Sequence, residues 1–283
     1  MERTEEMGTL LNPKSKKVIL TIFILFIAIM TIMPFVFMIS SAFKYDSQMF
    51  TNPLQLIPSN PTFKNFRHLF EHDMFYRWYL NTIWVVFIII GLRFVLVTTA
   101  AYAFARLEFK GRDAIFFFLL TTMMITPDTT VVPRYLLFKY LGLMDSMWAI
   151  IASQLFDVFF VFLVRQFFLT LPKDISEAAI IDGCSHFKVY YKIVLPLVKP
   201  ALVTMVLFSF IWSWNDFISP YVFITSRHKQ LLSVGLQYFQ GEIGPKVTLQ
   251  MAAASLAVIP CVIMFACTQK YFVRGIVGSG LKG

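Results

Sequence analysis

Charge is scarce in this chain. Asp, Glu, Lys and Arg make up 14% of its 283 residues, hydrophobic residues make up 58%, and mean hydropathy is +0.69. Soluble domains carry about 25% charged residues, so a soluble globular fold is excluded. Cysteine is scarcer still, with Cys184 in a polar stretch and Cys261 and Cys267 inside an apolar run, which excludes a disulfide framework. No G-x4-G-K-[ST] phosphate loop occurs anywhere. The nearest approach is the glycine-rich stretch 275–280, where Leu281 precedes Lys282 and Gly283 takes the place of the Ser or Thr. A P-loop ATP site in this chain is thereby excluded.

What is abundant is uncharged length. Crossing about 30 Å of hydrocarbon takes about 20 apolar residues in a helix, and six stretches qualify: 18–40, 82–105, 113–133, 147–168, 201–225 and 247–271. The first follows Lys14, Lys16 and Lys17 and is too long for the ~7–15-residue core of a signal peptide, so it is expected to be a retained helix. Cytoplasmic segments hold the excess of Lys and Arg. With the N-terminus inside, fifteen of the 25 Lys and Arg fall in inner segments, nine fall in outer ones and Arg93 lies within a span. The expected fold is an all-α integral membrane protein of the plasma (inner) membrane, with six transmembrane helices and both termini cytoplasmic.

The expected organisation follows. A cytoplasmic N-terminal segment (1–17) leads into a single transmembrane domain (18–272), and a cytoplasmic tail (273–283) follows. The domain carries an outer loop (41–80) and a cytoplasmic loop (170–199) between the fourth and fifth spans. The outer loop has Pro53, Pro58 and Pro61 and then an amphipathic stretch, 63–78, expected to lie on the membrane face. The net charge of +9 is accounted for by the topology and by anionic lipid headgroups, so no nucleic-acid partner is called for. The Phe116-Phe117-Phe118 and Phe159-Phe160 runs are expected to face lipid.

The polar loop carries the strongest pattern. A short helix is expected to begin at Ser176-Glu177-Ala178-Ala179 after Pro172, with capping from residues 174–176. Gly183 permits a sharp turn after Asp182, and Phe187, Val189, Tyr190, Ile193 and Val194 form a second amphipathic segment ended by Leu195-Pro196 and Pro200. A helix-turn-helix projecting into the cytosol is the result.

The sequence E-A-A-x3-G-x9-I-x-L-P, running from Glu177 through Gly183 and Ile193 to Pro196, is complete here and resembles the signature of the permeases of binding-protein-dependent ABC importers. Residues 100–112, the run Trp212-Ser213-Trp214-Asn215-Asp216-Phe217 with Pro220, and the terminal 278–283 are similar to those of maltose-transporter-type carbohydrate permeases, the second permease in particular. The likeness covers about 20–283. It implies a second homologous permease, two ATP-binding cassette subunits holding ATP and Mg, and an extracytoplasmic solute-binding protein. It also implies that Glu177 makes a polar contact to the ATPase, that Ala178 and Ala179 admit close approach, and that a tail including Gly280 and Lys282 reaches towards the ATPase. No cofactor and no catalytic residue is expected in the chain itself.

Ionisable residues inside spans are costly and mark pathways or pairs. Arg93 and Asp157 fall near the middle of their spans, where they either pair, bracket a shared water-filled cavity, or are satisfied separately by backbone or a partner chain. Asn215 and Asp216 sit among Trp212 and Trp214, with Pro220 beyond. This setting suits sugar recognition, in which aromatic faces stack on C–H groups and amide or carboxylate groups bind hydroxyls; a structural kink is the competing reading. His68-Leu69-Phe70-Glu71-His72 fits H-x-x-E-H, but the segment offers no convincing third ligand, and a solvated helix face is the better account. Other readings are a permease for glycerol phosphate or another polar solute, and a self-sufficient secondary transporter.

Overall fold

The structure is a computed structural model describing residues 13–51, 55–71, 73–240 and 247–280. Among the described residues every regular element is helical. Besides short 3-10 turns and the single turn Leu232–Gly235, the helices in chain order are α1 (Pro13–Ala42), α2 (Asp46–Thr51), α3 (Lys64–Glu71), α4 (Asp73–Arg106), α5 (Arg112–Thr122), α6 (Val131–Tyr140), α7 (Met147–Gln154), α8 (Val158–Thr170), α9 (Lys173–Ile181), α10 (His186–Leu197), α11 (Lys199–Trp214), α12 (Ile218–Phe223) and α13 (Val247–Gly280). At about 1.5 Å per residue, α1, α4 and α13 each exceed the thickness of a bilayer core, and each is apolar enough to cross one.

The other three expected spans are broken, each for a local reason. In the stretch 113–133, α5 ends at Thr122, and Pro127 opens a 3-10 turn whose preceding residue, Thr126, is forced to extended backbone. The chain resumes at an angle of 94°. In 147–168, α7 and α8 bend by 42° where Asp157 stops being helical and caps α8, its Oδ1 accepting from the Phe159 N–H at 2.9 Å. In 201–225, α11 stops at Trp214 and α12 restarts at Ile218, with Asp216 Oδ1 accepting from the Ser219 N–H at 3.2 Å. The sharp 82° turn lies upstream of that stretch, between α10 and α11.

Two compact units are formed, one by the described residues within Met1–Glu71 and Phe239–Leu256 and one by those within His72–Tyr238 and Ala257–Gly283. In the first, Asn65 Nδ2 donates to the carbonyls of Ala42 and Lys44 at 2.8 Å each, and Phe43 packs on Phe63 and Phe66. The amphipathic stretch expected at 63–78 divides: α3 ends at Glu71, and α4 already runs from Asp73. Within the H-x-x-E-H pattern, Glu71 is paired with Arg67 at 2.8 Å, Leu69 is fully buried, and His72 lies outside the described residues.

The second unit is organised by α4. Val85, Ile89, Arg93, Val97 and Ala101 recur every four residues on one buried stripe. Against its later half pack Phe160, Val161, Val164 and Phe168, the stripe of α8 at helical spacing. Phe116 and Phe160 therefore belong to the core, and only Phe117, Phe118 and, in part, Phe159 are open as expected for lipid contact. The first turns of α4 hold the segment 224–238: Trp78 Nε1 donates to the Arg227 carbonyl at 2.6 Å, and the Thr82 hydroxyl accepts from the Leu232 N–H at 2.8 Å.

A second clamp binds that segment to the turn before α7. Asp145, at φ +56°, accepts from the N–H groups of Thr225 and Ser226, the Ser226 hydroxyl and the Lys229 ammonium, with distances of 2.6–3.0 Å. Partial burial pushes its carboxyl up, but those donors outweigh burial and hold it well below the usual carboxylate range.

Two predictions follow from these contacts. A Cβ on Gly235 would lie 2.4 Å from Trp78 Cε3, and the indole is pinned by its own hydrogen bond. Gly235→Ala should thus lower stability by about 1–3 kcal/mol, read as a fall in melting temperature of the purified protein. For Asp145→Asn, the lost charge matters while the wild-type carboxylate is ionised in both states. The stability deficit should be full above about pH 4, the ordinary carboxyl pKa, and shrink as pH falls below it, which melting at several pH values would show.

Candidate functional site

Two features of the second unit are built from polar residues and sit at opposite ends of α8. The first is the hairpin of α9 and α10. α9 starts at Lys173, earlier than the expected start at Ser176; Pro172 takes the N-cap position without a capping side chain, and Asp174 places a negative charge in the first turn, where the helix dipole favours it. Its C-terminus closes by a Schellman motif. The Cys184 N–H donates to the Ala179 carbonyl and the Gly183 N–H to the Ile180 carbonyl, both at 3.0 Å, with Gly183 at φ +83°.

α10 is capped by Ser185 and contains a π-helical stretch, Val189–Val194. The wider turn brings Val189, Tyr190 and Val194 inward, and the Tyr190 hydroxyl lies 2.7 Å from the Thr98 hydroxyl on α4. Tyr102 packs edge-on to Phe168 and beside Tyr190. Arg106 Nη2, from the last turn of α4, donates to the carbonyls of Phe168 and Leu171 at 2.7 and 2.8 Å, closing the end of α8 just before the hairpin. The hairpin is thereby fixed to α4 and α8.

The expected residues separate on this frame. Glu177, Ala178, Asp182, Gly183 and Pro196 are exposed, and Ile193 and Leu195 are half-buried against the core. Ala179 is 7% exposed and packs within its own chain, so the close approach expected of both alanines is open to Ala178 alone. Ile181 and Phe187, 84% and 69% exposed, extend the outer face with apolar area.

The second feature is a cavity of about 720 Å³ at the helix breaks. Arg93 Nε and Nη2 both donate to the backbone carbonyl of Gln154, which the end of α7 leaves without a helical partner. The Gln154 side chain then joins two breaks: Nε2 donates to Asp216 Oδ2 at 2.6 Å, and Oε1 accepts from the Ser213 hydroxyl at 2.7 Å. Arg134 lines the same cavity.

Arg93 and Asp157 both line this cavity but do not pair: Arg93 is held by Gln154 and lies over the Phe160 ring, while Asp157 caps α8. Asp216 and Trp212 are also in the lining, whereas Asn215 and Trp214 are not. Residues two apart on a helix point about 200° away from each other, so Trp214 turns inward, its Nε1 donating to the Ala257 carbonyl at 3.0 Å. Asn215 bonds back to the Ile211 carbonyl. Gln154 and Arg134 were not singled out by sequence; the only signals they offered were an amide inside an apolar run and a cation just past one. Gly280 is the last residue of α13, and Lys282 lies outside the described residues.

Residues 7–278 match the model of a family described as the binding-protein-dependent transport system inner membrane component. The chain belongs to this family. It is 32% identical, over 94% of its length and 96% of the other, to the arabinooligosaccharides transport system permease protein AraQ of Halalkalibacterium halodurans. It is 31% identical, with the same shares covered, to the maltodextrin transport system permease protein MdxG of Bacillus subtilis. A chain of a bacterial ABC transporter involved in the import of the acidic polysaccharide alginate has the same fold, with a TM-score of 0.85 at 22% identity, over 93% of this chain and 99% of that one. As an inner membrane component of this family, the chain is a membrane protein, in accord with its apolar helices.

The amide bridge between the breaks can be tested in this permease. Replacing Gln154 by Leu leaves Asp216 Oδ2 and the Ser213 hydroxyl without their partner, and each unmet buried group costs about 1–3 kcal/mol. Gln154→Leu should lower the melting temperature of the purified protein, and Gln154→Glu should lower it further by placing a second carboxylate against Asp216.

Proposed function

We propose that the chain is the permease subunit of an ATP-driven, binding-protein-dependent importer for a sugar or oligosaccharide. Six membrane crossings, both termini cytoplasmic, are the reading that the charge distribution supports, with each bent helix pair counted as one crossing. The hairpin α9–α10 is then the cytoplasmic coupling element. Glu177, Ala178, Asp182 and Gly183 form its outer rim, and Ile193, Leu195 and Pro196 return it to the membrane. A second permease of the same kind completes the pathway. Two ATPase subunits carry ATP and Mg, and an extracytoplasmic binding protein delivers the solute.

The observation that carries this reading is the rigid seating of an exposed hairpin on α4 and α8, the two helices that also line the cavity. A push on the hairpin is transmitted through Tyr190, Tyr102 and Arg106 to the same helices that present Arg93 and Asp157. The relatives transport oligosaccharides, and the cavity offers what a saccharide needs: exposed Trp212 and Phe159 rings beside Ser, Thr, Gln and Asp groups.

In a complex reconstituted with its ATPases, partner permease and binding protein, Glu177→Lys should abolish solute uptake while membrane insertion persists. Gly183→Pro should do the same, because proline can neither adopt φ +83° nor supply the N–H that closes α9. Normal uptake with either change would overturn the coupling role of the hairpin.

A further inference from the structure

Val189 and Val194 are 0% and 1% exposed and lie in the same apolar core as Val161 and Phe168 of α8. In an α-helix residues five apart point about 140° away from each other, so one of the two valines would leave that core. The π-helical stretch removes the conflict. Its i→i−5 hydrogen bonds, of which the Leu195 N–H to the Tyr190 carbonyl is one, bring residues five apart back to the same side. Tyr190 comes with them. The Thr98 hydroxyl donates to the Phe94 carbonyl at 2.6 Å, so it is the acceptor for the Tyr190 hydroxyl at 2.7 Å.

A π turn is rare and needs a cause, and Pro196 supplies one. It stands two residues beyond the stretch, has no N–H to give, and in an α-helix its ring would meet the carbonyl four residues back, that of Lys192. A wider turn before the proline avoids that clash. Pro196 is itself exposed, so burial does not account for it. We propose that Pro196 is a positioning residue for coupling: it enforces the wide turn that seats Val189, Tyr190 and Val194 together. It thereby fixes the rotation of the hairpin relative to α11, the helix that carries Trp212 and Ser213 to the cavity side. The inference rests on the reading of the hairpin as the coupling element. It adds that one extra residue of helix, held by one proline, sets the register in which the hairpin is seated.

The test reconstitutes the complete transporter in liposomes, with its ATPases, partner permease and binding protein, and reads solute taken up per ATP hydrolysed. Pro196→Ala frees the stretch to close as an α-helix, which turns Val194 and α11 away from Val189. Uptake per ATP should fall about ten-fold, the equilibrium weight of about one buried hydrogen bond. Adding a deletion of Lys192, an exposed residue of the stretch, puts Val189 and Val194 four apart, about 40° from each other on an α-helix. The double change should recover most of the wild-type uptake per ATP, although it shortens the nine-residue spacing of the motif by one. Were Pro196 needed for stability alone, a further deletion in the same helix would lower uptake again.

Unchanged uptake per ATP in Pro196→Ala, or a double variant no better coupled than the single one, would refute the inference. If Pro196→Ala does not insert, the double variant carries the test alone: coupled uptake supports the register role, and its failure sinks it. The wild-type complex keeps the two readings apart. ATP-driven uptake by the wild type leaves the permease reading standing whatever the variants do, and its absence with every binding protein tried would sink that reading and this inference with it.

Discussion

A helix that stops away from bulk water leaves carbonyls and N–H groups in need of partners, and the second unit is arranged around that constraint. The carbonyl freed at the end of α7 is taken by the Arg93 guanidinium, the N–H groups opening α8 and α12 are taken by Asp157 and Asp216, and the Gln154 amide ties two of the breaks together. The polar cavity exists because the breaks do. Side chains that would be costly to bury unpaired are there first as substitutes for missing backbone partners, and their remaining atoms line the cavity.

The same helices also seat the hairpin. α8 begins at the cavity with Asp157 just before it and ends about 20 Å away, at 1.5 Å per residue, where Arg106 closes its C-terminus beside the hairpin. Between the two ends its buried face, Phe160, Val161, Val164 and Phe168, is packed against α4 with no exposed area beyond 0%. Close-packed apolar seams resist shear and transmit displacement as a unit.

How much of this was legible in the sequence varies with the physical signal. α1, α4 and α13 are plain in the uncharged runs, and Gly183 announces its turn because few other residues adopt its backbone. The breaks were only half visible. Pro127 and Pro220 are overt signals, but Asp157 reads as a buried charge in search of a partner, whereas its role is that of a cap, a distinction set by local backbone and not by charge. Gln154 carried no pattern, since a neutral amide in an apolar stretch looks incidental until two helix ends are brought to it in space. Ala179 shows the converse: a residue in a strong motif whose small size serves the fold behind it.

Among the described residues of its unit, none of the apolar window of α1 is buried. Its hydrophobic side chains are left to surroundings outside its own unit, lipid tails among them. A free energy of folding assigned to this polypeptide in isolation thus has no fixed value. It varies with bilayer thickness and with the concentration of partners in the membrane plane, and stability here is a property of the assembly's mass balance.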